Sequence, residues 1–453
     1  MRKNKMLLSI AGIFLAFTLI LPGCSPQQTA TKSDSESGNE TEAEKGNTSS
    51  DEEITLRIWD WDEAHMSHMI PFYQETHPNI KFETLMVPTS DFMQKLQSSL
   101  ASGTDIPDII LGEMGYRGRL FELGILEDLS QAPYNVQKGD MFDFAVKLQT
   151  GPDDKLLGVE QQICPAGLAF RRDLAIEYFG TDNPDEIAEI IPTWDAFYDE
   201  GVRIAEESDG KVHIFPGISV MITNVLRGQN TSSYIQDDII DITSRYKTIF
   251  DIGIKMHQGN ILGNQENNTP ALNAGIAAGE FIFISCPPWG MKWIIESNDP
   301  NGSGNWGLVK APEAGITQGG TSISIYSDSP NKEAAWEYIQ FTYIDGDGVE
   351  EAYKQFGFMT GFKAPYENEN SYFFTEKGAY DDFFGGQKMA DYYINTISVA
   401  TEGQVQTKNE VLVLDALSSV MAQVANDKSM TSEKAIELLI AEVEKAVPDV
   451  TVK

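Results

Sequence analysis

The pattern of apolar and polar residues predicts alternating strands and helices from residue 54 onward. Residues 54–59 alternate with the two-residue period of a half-buried strand, and residues 66–73 place apolar side chains three and four apart, as one face of a helix does. The patterns return as a strand at 80–87, a helix at 92–100 and a short buried strand at 105–111. Strands and helices that alternate at this spacing indicate βαβ units, hence a parallel sheet with helices on both faces.

A second set of elements follows in the middle of the chain. Strands are predicted at 156–159, 166–170, 281–285 and 319–326, and helices at 193–197 and 331–341. The last hundred residues are mainly helical, with the strongest apolar stripe at 411–424. About 400 residues follow position 53, more than one ordinary core holds, so we expect an α/β protein with two lobes.

The first residues have the pattern of an export signal. Arg2, Lys3 and Lys5 precede an apolar run at 6–21. At a rise of about 1.5 Å per residue the run would span about 24 Å, short of the ~30 Å hydrocarbon core, so a signal peptide at 1–23 is favoured over a membrane anchor.

Leu21-Pro22-Gly23-Cys24 resembles a bacterial lipobox, although Pro22 departs from the usual pattern. The resemblance implies a lipidated Cys24 at the mature N-terminus and an extracytoplasmic, membrane-anchored protein; the alternative is an ordinary signal with an incidental cysteine. Polar, small and acidic residues dominate 24–53, which predicts a flexible acidic linker.

The net charge of the chain excludes one class of partner. The chain carries a net charge of −35 and has no long basic patch, so nucleic acid is not an expected partner.

After Cys24, only Cys164 and Cys286 remain. They are either joined in a disulfide or two buried thiols, and the sequence leaves both readings open.

Several segments, in this order and spacing, resemble the family 1 extracellular solute-binding proteins, the maltose-binding-like receptors of ABC importers. Thr193-Trp194-Asp195-Ala196-Phe197 matches a helix start of that family, and Pro287-Pro288-Trp289-Gly290 stands where the family has Gly-Pro-Trp. The most specific block is Gly319-Gly320 followed by 329–339. The remaining matching segments are 105–110 and 123–129.

The resemblance implies a two-lobed periplasmic-binding-protein-like fold of type II, in which each lobe is a sheet flanked by helices and the ligand closes between the lobes about a hinge. It implies chain crossings near 162, 317 and 365. The expected lobes are an N-lobe of 54–162 plus 318–364 and a C-lobe of 163–317 plus 365–453. The expected partners are a small carbohydrate and the permease subunits of an ABC transporter. We expect a monomer without cofactor or metal.

Sugars expose apolar C–H faces and hydroxyl groups, so a sugar site needs aromatic platforms and planar carboxylate or amide groups. Ligands of such sheets lie beyond the carboxyl ends of the strands. Trp289, after two prolines at a strand end, is the strongest candidate, and its alternative is a core ring. The other predicted ligand contacts are Trp61, Asp62, Glu63, Glu113, Tyr116, Glu160, Gln162 and Phe358.

Each of these residues also has a plainer interpretation. Asp62 and Glu63 suit the start of a helix, where acids are favoured by the helix dipole, and the other polar candidates suit solvated loops. Gln161 is a candidate beside Glu160 and Gln162, and Trp306 and Tyr246 are weaker candidates. Trp59, Trp194 and Trp336 are expected in the core. Many sugar-binding relatives have an aromatic residue at two positions where this chain has Thr321-Ser322 and Gly112-Glu113. The identity of the ligand therefore stays open.

Two other functions remain as alternatives. One is a receptor for a polyamine or a peptide, which the surplus of acidic residues allows. The other is an exported glycoside hydrolase, but with 68 acidic residues carboxylate pairs are inevitable and carry little weight. No G-x-S-x-G motif occurs, and His65 and His68 do not form an H-E-x-x-H motif, so we expect no enzyme.

Overall fold

The structure is a computed structural model that describes residues 52–236 and 238–453. The predicted signal peptide, Cys24 and nearly all of the predicted linker lie outside the described residues. Within the described ranges, no helix combines the length and apolar character needed to cross a membrane. The described chain has a mixed α/β fold built on two main sheets.

Twelve strands and eighteen α-helices follow one another along the described chain. The strands are β1 (Ile54–Asp60), β2 (Ile80–Met86), β3 (Ile109–Glu113), β4 (Val159–Glu160), β5 (Pro165–Arg171), β6 (Ile235–Gln236), β7 (Ile239–Ile240), β8 (Phe283–Cys286), β9 (Trp306–Val309), β10 (Ile316–Thr317), β11 (Thr321–Ile325) and β12 (Thr451–Val452). The α-helices are α1 (Glu63–Gln74), α2 (Thr89–Ser102), α3 (Met114–Phe121), α4 (Asp143–Gln149), α5 (Arg172–Phe179), α6 (Pro184–Ile190), α7 (Trp194–Glu207), α8 (Ile218–Val220), α9 (Arg227–Gln229), α10 (Ile242–Gln258), α11 (Pro270–Ala278), α12 (Pro288–Gly290), α13 (Lys332–Ile339), α14 (Asp347–Phe356), α15 (Tyr372–Thr375), α16 (Met389–Tyr392), α17 (Glu410–Asn426) and α18 (Ser432–Ala446). Several helices continue as π-helical turns, at Met221–Leu226, Met291–Glu296, Gln340–Ile344 and Tyr393–Ile397.

The first sheet has the strand order β2-β1-β3-β11-β4. β1 pairs in parallel with β2 and β3, as the alternating pattern predicts, but β11 runs antiparallel to both β3 and β4. The parallel sheet predicted from the first three strands is therefore confirmed for β1, β2 and β3, and β11 adds an antiparallel strand to it. The reason is topological: the chain leaves this sheet at the end of β4 and re-enters beside that point, so β11 must run in the opposite direction.

The second sheet is antiparallel and has the order β10-β5-β8, with β9 also paired to β5. A small third sheet joins β12 to β7 and β6. Two short segments connect the main sheets: one leads from β4 to β5, and the other from β10 to β11. They run side by side, since the Gln318 N–H donates to the Cys164 carbonyl at 3.1 Å and the Gln161 N–H donates to the Thr321 carbonyl at 2.9 Å.

A third segment of chain joins this pair of connections. The Ile163 N–H donates to the Met359 carbonyl at 2.8 Å. The molecule thus has the two lobes and crossing strands of the type II fold, and the exact lobe boundaries given above stay a prediction. Two connecting segments and the backbone at Met359 thus lie side by side between the two sheets, a geometry suited to a hinge.

Three tryptophans that the sequence analysis expects in the core are buried or partly buried there. Trp59 is buried and meets Phe92 edge-on at 5.8 Å between ring centroids. Trp194 is buried, and Thr193 caps its helix by accepting the Ala196 N–H at 3.1 Å, as the sequence predicts. Trp336 is partly buried against the core.

Candidate functional site

A cleft of about 600 Å³ lies where the crossing segments meet the carboxyl ends of β1, β3 and β8. This is the place where the rule for such sheets puts a ligand. Its walls come from both main sheets. The lining residues are Trp61, Asp62, Pro88, Thr89, Glu113, Gln161, Gln162, Asn268, Trp289, Trp293, Gly319, Gly320, Thr321 and Phe358.

The structure brings most of the predicted ligand contacts together in this cleft, and their contact with a ligand stays a prediction. These residues are Trp61, Asp62, Glu113, Gln162, Trp289 and Phe358. Three other candidates do not line it. Glu63 is exposed on the first turn of α1, while Tyr116 and Glu160 are buried beneath the cleft. The weaker candidates Trp306 and Tyr246 are fully buried in the core.

The wall next to β1 is built by Asp60. Its Oδ1 atom accepts the N–H groups of Trp61 at 2.6 Å and of Asp62 at 3.0 Å, which turns the chain sharply at the strand end. Burial raises the pKa of Asp60 to about 7. Asp62 caps α1 by accepting the His65 N–H at 3.2 Å, and the Trp61 ring rests edge-on against Phe92 at 5.9 Å. Trp61 is only partly covered, so part of its ring faces the cleft.

The opposite wall carries Trp289 after the Pro287-Pro288 corner that ends β8. The indole N–H of Trp289 donates to the Gln318 carbonyl at 3.1 Å, which ties the ring to a crossing segment. A Cβ on Gly319 would lie 2.7 Å from Nε1 of Trp289, closer than side chains approach, and the φ of Gly319 is +79°. Glycine is therefore required here both for the backbone conformation and for the position of the indole.

Glu113 presents a partly exposed carboxylate at the end of β3. Its Oε2 atom accepts the Gly115 N–H at 2.6 Å at the start of α3, and burial raises its pKa. Around it, the amides of Gln161, Gln162 and Asn268 line the same cleft. These carboxylate and amide groups are the kind that recognise hydroxyl groups.

Beneath the crossing segments lies a buried ion pair. Nη1 of Arg117 is 3.6 Å from Oε1 of Glu160, and neither side chain is exposed. Gln149 donates to Glu160 at 2.6 Å, and Arg117 donates to the Gly112 and Leu148 carbonyls at 3.1 Å each. Burial raises the pKa of Glu160 to about 7, against the opposing effect of Arg117. The prediction that Glu160 lines the site was wrong because its side chain points away from the cleft to this pair.

A second ion pair spans the cleft itself. Nζ of Lys292, in the segment after β8, lies 3.3 Å from Oδ1 and 3.2 Å from Oδ2 of Asp62, in the segment after β1. Both side chains are largely shielded from solvent. The sequence reasoning missed Lys292 and also the cleft residues Trp293 and Asn268. The four-residue spacing of Trp289 and Trp293, which puts both on one helical face, was the available signal.

The structure also shows the surroundings of the two cysteines and of His65 and His68. Cys164 and Cys286 are both free, buried thiols, which resolves the open alternative. His65 stacks on Phe358 at 4.9 Å, while His68 pairs with Glu351 at 2.6 Å. Among the described residues, no group of three or more His, Cys, Asp or Glu side chains could hold a metal ion.

Comparison with known proteins shows which proteins this chain is similar to. The model of the family described as bacterial extracellular solute-binding protein matches residues 69–377. The lactose-binding protein of Rhizobium radiobacter is 22% identical over 369 residues, which cover 77% of this chain and 83% of that protein. The arabinooligosaccharide-binding protein of Bacillus subtilis (strain 168) is 22% identical over 404 residues, covering 84% and 85%.

Solved structures give the same result for the fold. A crystal structure of an extracellular solute-binding protein of family 1 superposes with a TM-score of 0.75 at 20% identity, and the match covers 87% of this chain and all of that one. At this identity the likeness concerns the fold alone. It agrees with the two sheets, the crossing strands and the cleft between them.

Proposed function

The chain belongs to the bacterial extracellular solute-binding proteins, and on that premise we propose that it captures a carbohydrate, most simply an oligosaccharide, and delivers it to an ABC importer. The observation that carries the proposal is the pair of tryptophans on facing walls of one cleft, Trp61 after β1 and Trp289 after β8. The carboxylate of Glu113 and the amides of Gln161 and Gln162 line the same cleft. Aromatic rings suit the apolar faces of sugars, and planar polar groups suit their hydroxyls.

The named relatives support the same class of ligand. One is a lactose-binding protein and the other an arabinooligosaccharide-binding protein, and each aligns with most of this chain. At 22% identity they do not specify which sugar this chain would bind. They favour a carbohydrate over a polyamine or a peptide.

Binding without turnover fits the state of the cleft carboxylates. A glycosidase needs two carboxyl groups free to act as acid and as base or nucleophile. Here Asp62 is held by Lys292, and Glu113 accepts the Gly115 N–H. These contacts do not by themselves exclude catalysis, but the relatives are binding proteins, so we propose that the ligand is released chemically unchanged.

The predicted N-terminus fits a receptor that works next to a membrane. A lipid on Cys24 and an acidic linker of about thirty residues would hold a monomeric binding domain near its permease while leaving it free to move. A palmitate label should be incorporated into the wild-type protein and not into Cys24→Ser. Equal labelling of the wild-type protein and Cys24→Ser would contradict this part of the proposal.

Thermal unfolding of residues 52–453 against a panel of glycans, polyamines and peptides tests the function. A ligand at about 100 times its Kd stabilises the folded state by about 2.7 kcal/mol, so a matching glycan should raise Tm measurably. Chromatography of the recovered glycan should show no product. A shift with polyamines or peptides and with no glycan would overturn the carbohydrate assignment.

Trp289 offers the sharpest variant for the same assay. Trp289→Ala should remove the shift given by the matching glycan, because the platform is lost, while the circular dichroism of the folded protein stays the same. Trp289→Phe keeps a smaller ring and should retain part of the shift. Undiminished binding by Trp289→Ala would remove this residue from the site.

A further inference from the structure

Trp293 lies at the mouth of the cleft and is unusually exposed. It follows Trp289 by four residues, in the π-helical turn Met291–Glu296, a type of turn frequent at functional sites. Its side chain is 49% exposed, and among the described residues it is the only aromatic side chain in the exposed class. A single exposed apolar side chain is ordinary on a protein surface, but this ring lines a ligand cleft, where it is available to contact a ligand.

The position of this ring is fixed by neighbouring groups. Nζ of Lys292 lies 4.6 Å from the centroid of the Trp293 ring, a cation–π contact. The same ammonium is 3.2 Å from Asp62 on the other wall of the cleft. Behind the ring, the Asn298 amide donates to the Ile294 carbonyl at 2.9 Å and to the Trp293 carbonyl at 3.4 Å, which holds the turn.

These contacts connect the exposed ring, through Lys292, to Asp62 on the other wall. The ammonium that lies over Trp293 is itself held by Asp62, so the ring is fixed when Asp62 and Lys292 meet across the cleft. Because the ring is already held in place and is uncovered, a ligand can stack on it with little further loss of conformational entropy. Trp61 and Trp289, which line the same cleft, are each more covered than Trp293.

We propose that Trp293 is an outer platform for a sugar unit that extends past the units held at Trp61 and Trp289. The proposal rests on the proposed function and narrows it: the preferred ligand is an oligosaccharide longer than a disaccharide. A disaccharide would occupy the part of the cleft at Trp61 and Trp289 and leave Trp293 uncovered. A longer homologue would stack its additional unit on Trp293.

Isothermal titration with a disaccharide and longer homologues of one glycan series tests the proposal. In the wild-type protein, affinity should rise with chain length. Trp293→Ala should weaken binding of the longest homologue about tenfold while changing disaccharide binding less than about twofold. Trp293→Phe should keep most of the gain with length, because a smaller aromatic face remains.

A matched control removes exposed apolar surface away from the cleft. Ile176 is 55% exposed on α5 and does not line the cleft, so Ile176→Ala should leave every affinity unchanged. An equal loss for all chain lengths in Trp293→Ala, or no loss at all, would overturn the outer platform while the carbohydrate function stands. A wild-type protein that binds no member of any glycan series would instead overturn the proposed function itself.

Discussion

The missing side chain of Gly319 creates the space that the indole of Trp289 occupies. A Cβ at Gly319 would lie 2.7 Å from Nε1 and 3.1 Å from Cε2 of that ring. The indole uses the space to donate to the carbonyl of Gln318, the residue just before the glycine. The segment that connects β10 to β11 therefore positions the proposed sugar platform directly.

Replacement of Gly319 by Ala should impair ligand binding. The new methyl group would push the indole away and break its hydrogen bond to Gln318. The positive φ of Gly319, +79°, adds strain of about 1–2 kcal/mol to the folded state. We expect a loss of ligand affinity of at least about tenfold, measured by titration.

Gly180 supplies a matched control for the backbone strain. Its φ is +76°, and a Cβ there would meet no atom within 4 Å. Gly180→Ala should therefore destabilise the fold to a similar extent in urea unfolding but leave ligand affinity unchanged. Equal losses of affinity in both variants would show that strain, and not the position of Trp289, causes the effect.

The sequence predicts the elements whose apolar periodicity is local, and it does not predict strand ends that are set by pairing with distant residues. The strands β1 and β2 and the helices between β1 and β3 follow the apolar periodicity closely. The third strand begins at Ile109 and not at residue 105, because Asp108 turns its carboxylate to the Arg57 N–H at 2.7 Å. It continues to Glu113 because Glu113 pairs with Thr321, more than two hundred residues away. No local pattern contains that pairing.

The site was predictable at strand ends but not at the level of side-chain direction. Trp289 and Asp62 follow strands whose carboxyl ends meet, so the sheet rule finds them. Gln161 and Gln162 both line the cleft, whereas their neighbour Glu160 does not. The Glu160 side chain pairs instead with the buried Arg117, whose position the sequence does not reveal. Lys292 was missed because its partner Asp62 lies 230 residues away.

The ion pair of Asp62 and Lys292 should strengthen ligand binding, because it joins the two walls when the cleft is closed around a ligand. Lys292→Met keeps the apolar stem and removes the charge. Asp62→Asn keeps the cap of α1. Each variant should weaken ligand affinity about fivefold, equivalent to ~1 kcal/mol, and the double variant should be no weaker than the single ones.

Ionic strength and a distant pair provide the controls for this prediction. Added salt should weaken ligand binding by the wild-type protein more than by Lys292→Met. Lys332 pairs with Glu127 at 3.0 Å away from the cleft, so Lys332→Met should not change ligand affinity. Losses that simply add in the double variant of Asp62 and Lys292 would show that the two residues act independently.

The two buried thiols should be inert in the folded protein. Burial raises the pKa of Cys286 to about 12 and that of Cys164 well above its usual value, so neither forms the reactive thiolate at neutral pH. A thiol reagent should modify residues 52–453 only slowly in buffer. In denaturant, without a reductant, it should modify both cysteines at once. Failure to detect free thiols in denaturant would indicate a disulfide and contradict the structure.

The buried carboxyl group of Asp60 should make the fold less stable as pH rises. The pKa of an Asp in an unfolded chain is about 3.9, and burial raises that of Asp60 to about 7 in the folded protein. Between these values the folded state keeps a proton that the unfolded state has released, so a higher pH favours unfolding. The stabilising contribution is complete below about pH 4 and is lost as pH rises through about 7.

Asp60→Asn should remove this dependence, because Asn keeps the Oδ1 acceptor for the Trp61 and Asp62 N–H groups and never ionises. Urea unfolding should show the variant to be more stable than wild type above pH 7, by a few kcal/mol at most, with the difference vanishing toward pH 4. Asp195, whose side chain is 86% exposed, gives the control: Asp195→Asn should follow the wild-type pH profile. Parallel profiles for wild type and Asp60→Asn would mean that Asp60 is ionised in the folded protein, and that its two backbone donors offset the cost of burying the charge.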